Sequence, residues 1–214
     1  YVQDRTRLLT AISHDLKTPI TRLRLRAELL EDEVLKDKFI RDLHDMEHMT
    51  SATLDLLRGL EVNEPSQPID LMALLESVQA DAVETGQPVS LQGNITRAFT
   101  GRPQALRRCL ENLVSNAVRY GGRADLIVED GDQAVTIRVR DKGPGIPEDQ
   151  LERVFEPYYR LDSSRSRENG GNGLGLGIAR NIAVLHGGSL TLRNPPGGGL
   201  EAVLVLPRKS DGKG

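Results

Sequence analysis

Three groups of residues have types and spacings suited to chemistry. The first lies in the run His14-Asp15-Leu16-Lys17-Thr18-Pro19. An imidazole can act as nucleophile or proton carrier near neutral pH, because its ordinary pKa lies there. The second is the pair Asn112 and Asn116, one helical turn apart. Two amide oxygens at that spacing can converge on a hard cation such as Mg²⁺. The third is glycine. Gly143 and Gly145 follow a strand-like segment ending in Asp141, and Gly171, Gly173, Gly175 and Gly177 run into an apolar helical segment. A glycine run entering a helix offers bare backbone N–H groups and a positive dipole end to phosphate. Neither run fits the dinucleotide pattern G-x-G-x-x-G or the Walker pattern, which needs Lys after its last Gly. Each group taken singly also has a plainer account: a solvated histidine, a polar helix face, a surface loop.

The other histidines and the cysteine complete the inventory. His44-Asp45-Met46-Glu47-His48 has the H-x-x-E-H spacing that can hold zinc and activate water. The segment also sits inside an apolar-periodic helix, where the same residues make an ordinary polar flank. His186 precedes Gly187-Gly188 at an expected helix end, where a cation would complement the dipole. The single cysteine, Cys109, excludes an internal disulfide and a thiolate zinc cage.

These residues need elements to position them, and glycine usage divides the chain. Of 21 glycines among 214 residues, only Gly59 lies in the first 80, so two kinds of structure are joined end to end. In the glycine-poor part, Leu9, Ile12, Leu16, Ile20, Leu23, Ala27 and Leu30 recur at spacings of three and four. Phe39, Leu43, Met46, Thr50, Thr53, Leu57 and Leu60 do the same. Both are helical seams. Polar turns at Glu31-Asp32-Glu33 and Lys36-Asp37-Lys38 make them an antiparallel pair, and two such hairpins would bury their stripes as a dimeric four-helix bundle. His14 lies two positions, about 200°, from both Ile12 and Leu16, so it faces outward with Thr18, and Pro19 should bend the helix one turn later.

Residues 62–68 read as a linker with two prolines. Beyond it, Asp70 should cap a helix carrying Leu71, Leu74, Leu75, Val78 and Ala82. Strands follow near Val89–Gln92 and Arg97–Thr100, then a helix over Pro103–Tyr120, a hairpin through Leu126–Glu129 and Val135–Val139, a helix over Leu174–Leu185, and strands at Leu190–Arg193 and Ala202–Leu206. The class is α+β: a helical hairpin over 1–61, then an α/β sandwich over 69–210 and a tail over 211–214. A net charge of −3 argues against nucleic acid as the main partner. No apolar run is long enough to span a bilayer. The chain opens on Tyr1 without a signal-peptide pattern, so it is expected to belong to something longer.

Taken in order, these motifs resemble the sensor histidine kinases of bacterial two-component systems, with the stretch around His14 most like the osmosensor-type kinases. His14–Ile20 is similar to the family's H box and Asn112–Asn116 to its N box. Asp141-Lys142-Gly143-Pro144-Gly145 and Gly173-Leu174-Gly175-Leu176-Gly177 are similar to its two glycine boxes, and Phe155-Glu156-Pro157-Tyr158-Tyr159-Arg160 to its F box. The resemblance implies a dimerisation and histidine-phosphotransfer domain followed by a GHKL (Bergerat) ATP-binding domain, the type shared with gyrase-like and chaperone ATPases. Asp141 would then accept from the adenine amino group, with Gly143 and Gly145 letting backbone approach the base. Asn116 and Asn112 would hold Mg²⁺ against the phosphates. Arg119 and Tyr120 would border the pocket, and Arg160 would reach the γ-phosphate. Gly173, Leu174, Gly175, Leu176 and Gly177 would close on the phosphates, with the Ser/Arg-rich segment between Pro157 and Asn172 as a lid.

His14 would be phosphorylated from ATP, Asp15 taking or orienting the other ring proton. The phosphoryl group would pass to an aspartate of a response-regulator receiver domain. Thr18 would position water in the reverse, phosphatase reaction. The glycines at Gly121-Gly122 and Gly197–Gly199 read only as turns. The resemblance further implies a homodimer on the cytoplasmic side of a bacterial inner-membrane protein, with any membrane segments upstream. A kinase-like module that only binds, and a zinc hydrolase built on His44, Glu47 and His48, are the two alternatives.

Overall fold

The computed structural model describes residues 18–30, 32–40, 43, 46, 64–161 and 173–208. His14, Asp15, His44, Glu47, His48 and the segment 162–172 lie outside these residues, as does most of the helix in which Pro19 is expected to cause a bend.

In the glycine-poor part, residues 18–27 (α1) and 33–40 (α2) are helical, and residues 43 and 46 are helical too. Asp32 sets the start of α2, its Oδ1 accepting from the N–H groups of Val34 (3.0 Å) and Leu35 (3.1 Å). That cap places Lys36-Asp37-Lys38 inside α2 rather than in the turn, and Lys36 reaches back to Glu28 at 3.6 Å. Ile20, Ala27 and Leu43, which the periodicity selects, are buried together, and Ile40, which it does not, packs against them. Leu23 and Phe39, on the same stripe, remain 45% and 48% exposed, so one hairpin does not cover its own seam.

The second unit is a five-stranded sheet with helices on one face. Its elements are β1 (Gln67–Ile69), α3 (Leu71–Glu84), β2 (Val89–Gln92), β3 (Phe99–Gly101), α4 (Pro103–Gly121), β4 (Ala124–Asp130), β5 (Ala134–Arg140), α5 (Gly175–Leu185), β6 (Ser189–Arg193) and β7 (Glu201–Pro207). Two 3₁₀ turns, Glu148–Gln150 and Arg153–Phe155, lie between β5 and α5. Strand order is β2-β4-β5-β7-β6, with β2 and β4 parallel and every other pair antiparallel. Alternation decides the faces. Ala124, Leu126 and Val128 of β4, Val135, Ile137 and Val139 of β5, and Leu204 and Leu206 of β7 turn toward the helices and are buried. The opposite face carries Asp125, Arg138, Arg140, Thr136 and Thr191.

Local chemistry explains the element ends. Asp70 caps α3, its Oδ1 2.9 Å from the Ala73 N–H, and Gly122 ends α4 in the left-handed region at φ 72°. α4 buries Leu106, Cys109, Leu110, Leu113, Val114 and Ala117 on one stripe, which leaves Asn112 and Asn116 half-buried on another side. The stretch read as a linker is partly tied down. β1 pairs antiparallel with β3, and Glu64 caps α4 across 40 residues, accepting from Gln104 N–H (2.7 Å) and Ala105 N–H (3.0 Å). α4 has no cap of its own, because Arg102 holds that position.

Candidate active site

The site is built along α4. At its C-terminal end, the exit of β5 crosses the last turn so closely that a Cβ on Gly121 would sit 2.5 Å from Asp141 Cβ, and one on Gly143 would sit 2.7 Å from Tyr120 O. Asp141 is only 4% exposed, a burial a carboxylate tolerates when it is well bonded. Its Oδ1 accepts from the N–H of Gly143 (2.7 Å) and of Leu200 (3.0 Å), while its own N–H donates to Leu200 O at 2.9 Å. No described residue donates to Oδ2, which leaves one carboxylate oxygen, held in a fixed direction, to accept from a ligand. Tyr120 is 46% exposed beside it, and Arg119 lies on the exposed last turn, where its charge also complements the helix dipole.

Midway along α4, Asn112 meets the start of α5. A Cβ on Gly175 would lie 3.4 Å from Asn112 Oδ1. Among the described residues no side chain caps α5, whose N-cap is Leu174, so the first-turn N–H groups of Gly175, Leu176 and Gly177 can face an anion. With a rise of 1.5 Å per residue, Asn112 and Tyr120 stand about 12 Å apart along α4. One end therefore offers a buried acceptor and the other offers N–H donors and amide oxygens. That span and polarity suit a ligand with a purine at one end and phosphates at the other.

The segment before α5 is anchored by aromatics. Gly177 lets α5 approach Phe155 O, which a Cβ would meet at 2.8 Å, and the Arg180 guanidinium lies 4.5 Å over the Phe155 ring while pairing with Glu152 at 2.8 Å. Tyr159 donates to Gln150 Oε1 (2.9 Å) beneath the Arg153 guanidinium, and half-buried Arg160 follows directly. Tyr158 adopts φ 64°, unusual for a residue with a side chain, and its N–H donates to Gly173 O at 3.0 Å. This bond ties together the two ends of the segment expected to be a lid.

Several supporting residues carry no motif. Gly121 and Gly199 read as turns in the sequence. Gly122 is one, but Gly121 is a close-packing position against Asp141, and a Cβ on Gly199 would fall 2.1 Å from Asp141 O. The connector between β6 and β7 thus supports Asp141 from behind. Its first residue, Asn194, accepts from Ile146 N–H (3.0 Å) and donates to Ile146 O (2.7 Å). A G-G dipeptide or an Asn before Pro195-Pro196 reads as turn chemistry whatever it touches, so only the tertiary contact distinguishes them. A separate cavity of about 670 Å³ opens on the other face of the sheet, where Arg123 pairs with Asp125; it touches Asp141 and Gly143 but neither asparagine nor α5.

Two other titratable groups are structural. Burial pushes the Cys109 thiol up to about 12, and its Sγ lies 3.6 Å from Ala179 O, so it joins α4 to α5 without thiolate chemistry. His186 Nε2 accepts from Arg102 N–H at 3.1 Å and Nδ1 lies 2.7 Å from Ile182 O, so the ring bridges the end of α5 and the start of α4 as a neutral imidazole rather than as the expected cation.

Residues 101–210 match the family "Histidine kinase-, DNA gyrase B-, and HSP90-like ATPase", and residues 4–61 match "His Kinase A (phospho-acceptor) domain". The chain belongs to the bacterial two-component sensor histidine kinases. Across 208 residues this kinase chain is 48% identical to the sensor histidine kinase GtrS of Pseudomonas aeruginosa, covering 97% of this chain and 43% of that protein. It is 34% identical over 214 residues to the sensor histidine kinase CpxA of Escherichia coli, covering 94% and 46%. The chain thus spans less than half the length of these relatives. Among solved structures, full-length ShkA in complex with AMPPNP shares the fold with a TM-score of 0.71 at 23% identity, covering 94% of this chain and 46% of that one. The ATP binding domain of PrrB from Mycobacterium tuberculosis gives 0.56 at 33% identity, covering 68% and 98%. The α+β architecture with a GHKL-type ATP-binding unit agrees with the expectation from sequence.

Proposed function

We propose that this chain is the ATP-binding and phosphoacceptor core of its protein, phosphorylating His14 from ATP and passing the phosphoryl group to an aspartate of a response-regulator receiver domain. The observation that carries this reading is the pairing, about 12 Å apart along α4, of the half-satisfied Asp141 with the glycine start of α5 beside Asn112, which no described side chain caps. Asp141 Oδ2 accepts from the adenine amino group, Tyr120 and Arg119 border the base, and Gly173 to Gly177 face the phosphates.

Asn112 and Asn116 would hold Mg²⁺: their amide oxygens are hard donors, half-buried one turn apart on α4. When bound, Mg²⁺ supplies neutralisation of phosphate charge. Arg160 adds to that neutralisation at the γ-phosphate. A ring nitrogen of His14 attacks the γ-phosphorus, the bond to the β–γ bridging oxygen breaks with its electron pair leaving on ADP, and Asp15 orients or takes the proton on the other ring nitrogen. Asn112 is no base, so water is not activated from that position and transfer to His14 is favoured over hydrolysis.

Exposure of Leu23, Phe39 and Met46 on the hairpin supports a homodimer whose second copy completes a four-helix bundle. Thr18, on the exposed side of α1, is proposed to position water for dephosphorylating the regulator. No helix among the described residues is long and apolar enough to cross a membrane, and the reading places this core on the cytoplasmic side of a bacterial inner-membrane protein. The test is incubation with γ-labelled ATP. Acid-labile label on the wild type and none on His14→Gln is expected; label retained by His14→Gln would overturn the assignment, and a folded wild type that takes up none would favour a module that only binds. Thr18→Ala should keep autophosphorylation and lose the phosphatase.

A further inference from the structure

The sequence suggests that Gly143 and Gly145 are glycines so that backbone can approach a base, but their bare faces point elsewhere. A Cβ on Gly145, at φ 76°, would meet Asn194 Oδ1 at 2.6 Å and Gly199 O at 3.2 Å. Asn194 occupies that space. Its amide makes two hydrogen bonds to one residue, accepting from Ile146 N–H at 3.0 Å and donating to Ile146 O at 2.7 Å, as a neighbouring strand would. Ile146 is itself buried, so neither backbone group has water as an easy alternative partner. Five residues upstream of Ile146, Asp141 is bonded through its N–H and Oδ1 to Leu200, six residues beyond Asn194. The loop 141–146 is therefore clamped at both ends by the β6–β7 connector, at one end by backbone and at the other by the Asn194 side chain.

We infer that Asn194 is a positioning residue for nucleotide binding: by holding Ile146 it fixes the direction in which the Asp141–Gly145 loop presents Asp141 Oδ2. The inference rests on the nucleotide reading given above. Asn194 lies in none of the five motifs; its side-chain amide bonds Ile146 and packs against Gly145. An amide is required because one oxygen and one N–H must serve a donor and an acceptor of the same residue; Asp can do the first only and Ala neither.

The test measures nucleotide affinity, turnover and stability together. For Asn194→Ala, the Kd for ATP should rise about tenfold, because the loop loses two hydrogen bonds that hold it for binding. Autophosphorylation at saturating ATP should change less than about twofold, since Asn194 contributes nothing at the phosphate end. Asn194→Asp should not rescue affinity, because it restores the acceptor and not the donor. As a control, Val203→Ala, on the other face of the sheet, should lower the melting temperature without raising Kd. Wild-type protein that binds no ATP would overturn the nucleotide reading and this inference with it. Wild-type binding with an unchanged Kd in folded Asn194→Ala would overturn this inference alone. Should Asn194→Ala fail to fold, amide exchange in the wild type decides: a protected Ile146 N–H that gains protection with ATP supports the clamp, and one exchanging at the open-chain rate refutes it.

Discussion

Replacing Asp141 with Asn separates its two oxygens. The asparagine Oδ1 can still accept from the N–H groups of Gly143 and Leu200, which lie 2.7 and 3.0 Å from the native oxygen. Its Nδ2 then stands where Oδ2 did and presents a donor to the adenine amino group, itself a donor. The hydrogen bond lost is to a charged acceptor, worth about 1.5–3 kcal/mol, and leaving a buried donor unpaired costs about 1–3 kcal/mol more. Together these give about 2.5–6 kcal/mol, and even a loss of about 3 kcal/mol corresponds to about a hundredfold weaker binding. Stability should suffer less, since both backbone partners remain and only the charge assistance is removed, about 1 kcal/mol. Calorimetric titration with a non-hydrolysable ATP analogue, beside thermal unfolding without ligand, reads both quantities. The same substitution faces guanine O6 with a donor, so the ratio of GTP to ATP affinity should rise. ATP binding within threefold of wild type by a folded Asp141→Asn would refute the argument that Oδ2 reads the base.

Glu64→Ala removes the side-chain cap of α4 and should lower the melting temperature by about 3–6 °C, for a loss of about 1–2 kcal/mol, with Glu64→Gln intermediate. Gly199→Ala should prevent stable folding or cost well over 2 kcal/mol by denaturant titration, because its Cβ would meet Asp141 O at 2.1 Å, whereas Gly198→Ala, with φ 87° and open space around it, should cost only about 1 kcal/mol. Acid should destabilise the ATP-binding unit in a defined window. Burial alone would raise Asp130, but bonds from Arg208 and the Thr96 N–H and the charge of Arg97 override it and hold its carboxyl at about 2; Asp125 is lowered likewise against its burial by Ser90, Arg123 and Lys142. Both titrate below their unfolded values, so their contribution is complete above about pH 4 and is lost as pH falls toward 2. Urea midpoints measured between pH 7 and pH 2.5 should fall across that window, and fall less in Asp130→Asn.

Periodicity and turn chemistry placed the helices and strands of the second unit within one to three residues, because an amphipathic stripe such as that of α4 and the alternation of β5 are local properties. β1 is not legible in the sequence, since Gln67–Ile69 is only three residues long with Pro68 at its centre and becomes a strand only by pairing with β3. Asn112, Asn116, Asp141 and the glycines of α5 could be picked out by type and spacing. Their order along a cleft could not, because it depends on β5 leaving the sheet over the end of α4. Glu64, Gly121, Asn194 and Gly199 were illegible for the same reason: each acts on a partner 20 to more than 50 residues away.

The sequence by itself determined most of the elements of the second unit, where the apolar stripes lie, that a histidine, an asparagine pair one turn apart and two glycine runs occur in the order of the kinase motifs, and that the chain joins two kinds of structure. These are properties of composition and short-range spacing. Only the tertiary structure decided that Asp141 spends one oxygen on its own backbone neighbours and keeps the other open, that Gly145 makes room for Asn194, and that α4 takes its cap from beyond the hairpin. Such choices depend on which groups remain unpaired after distant segments pack, and no local pattern encodes that.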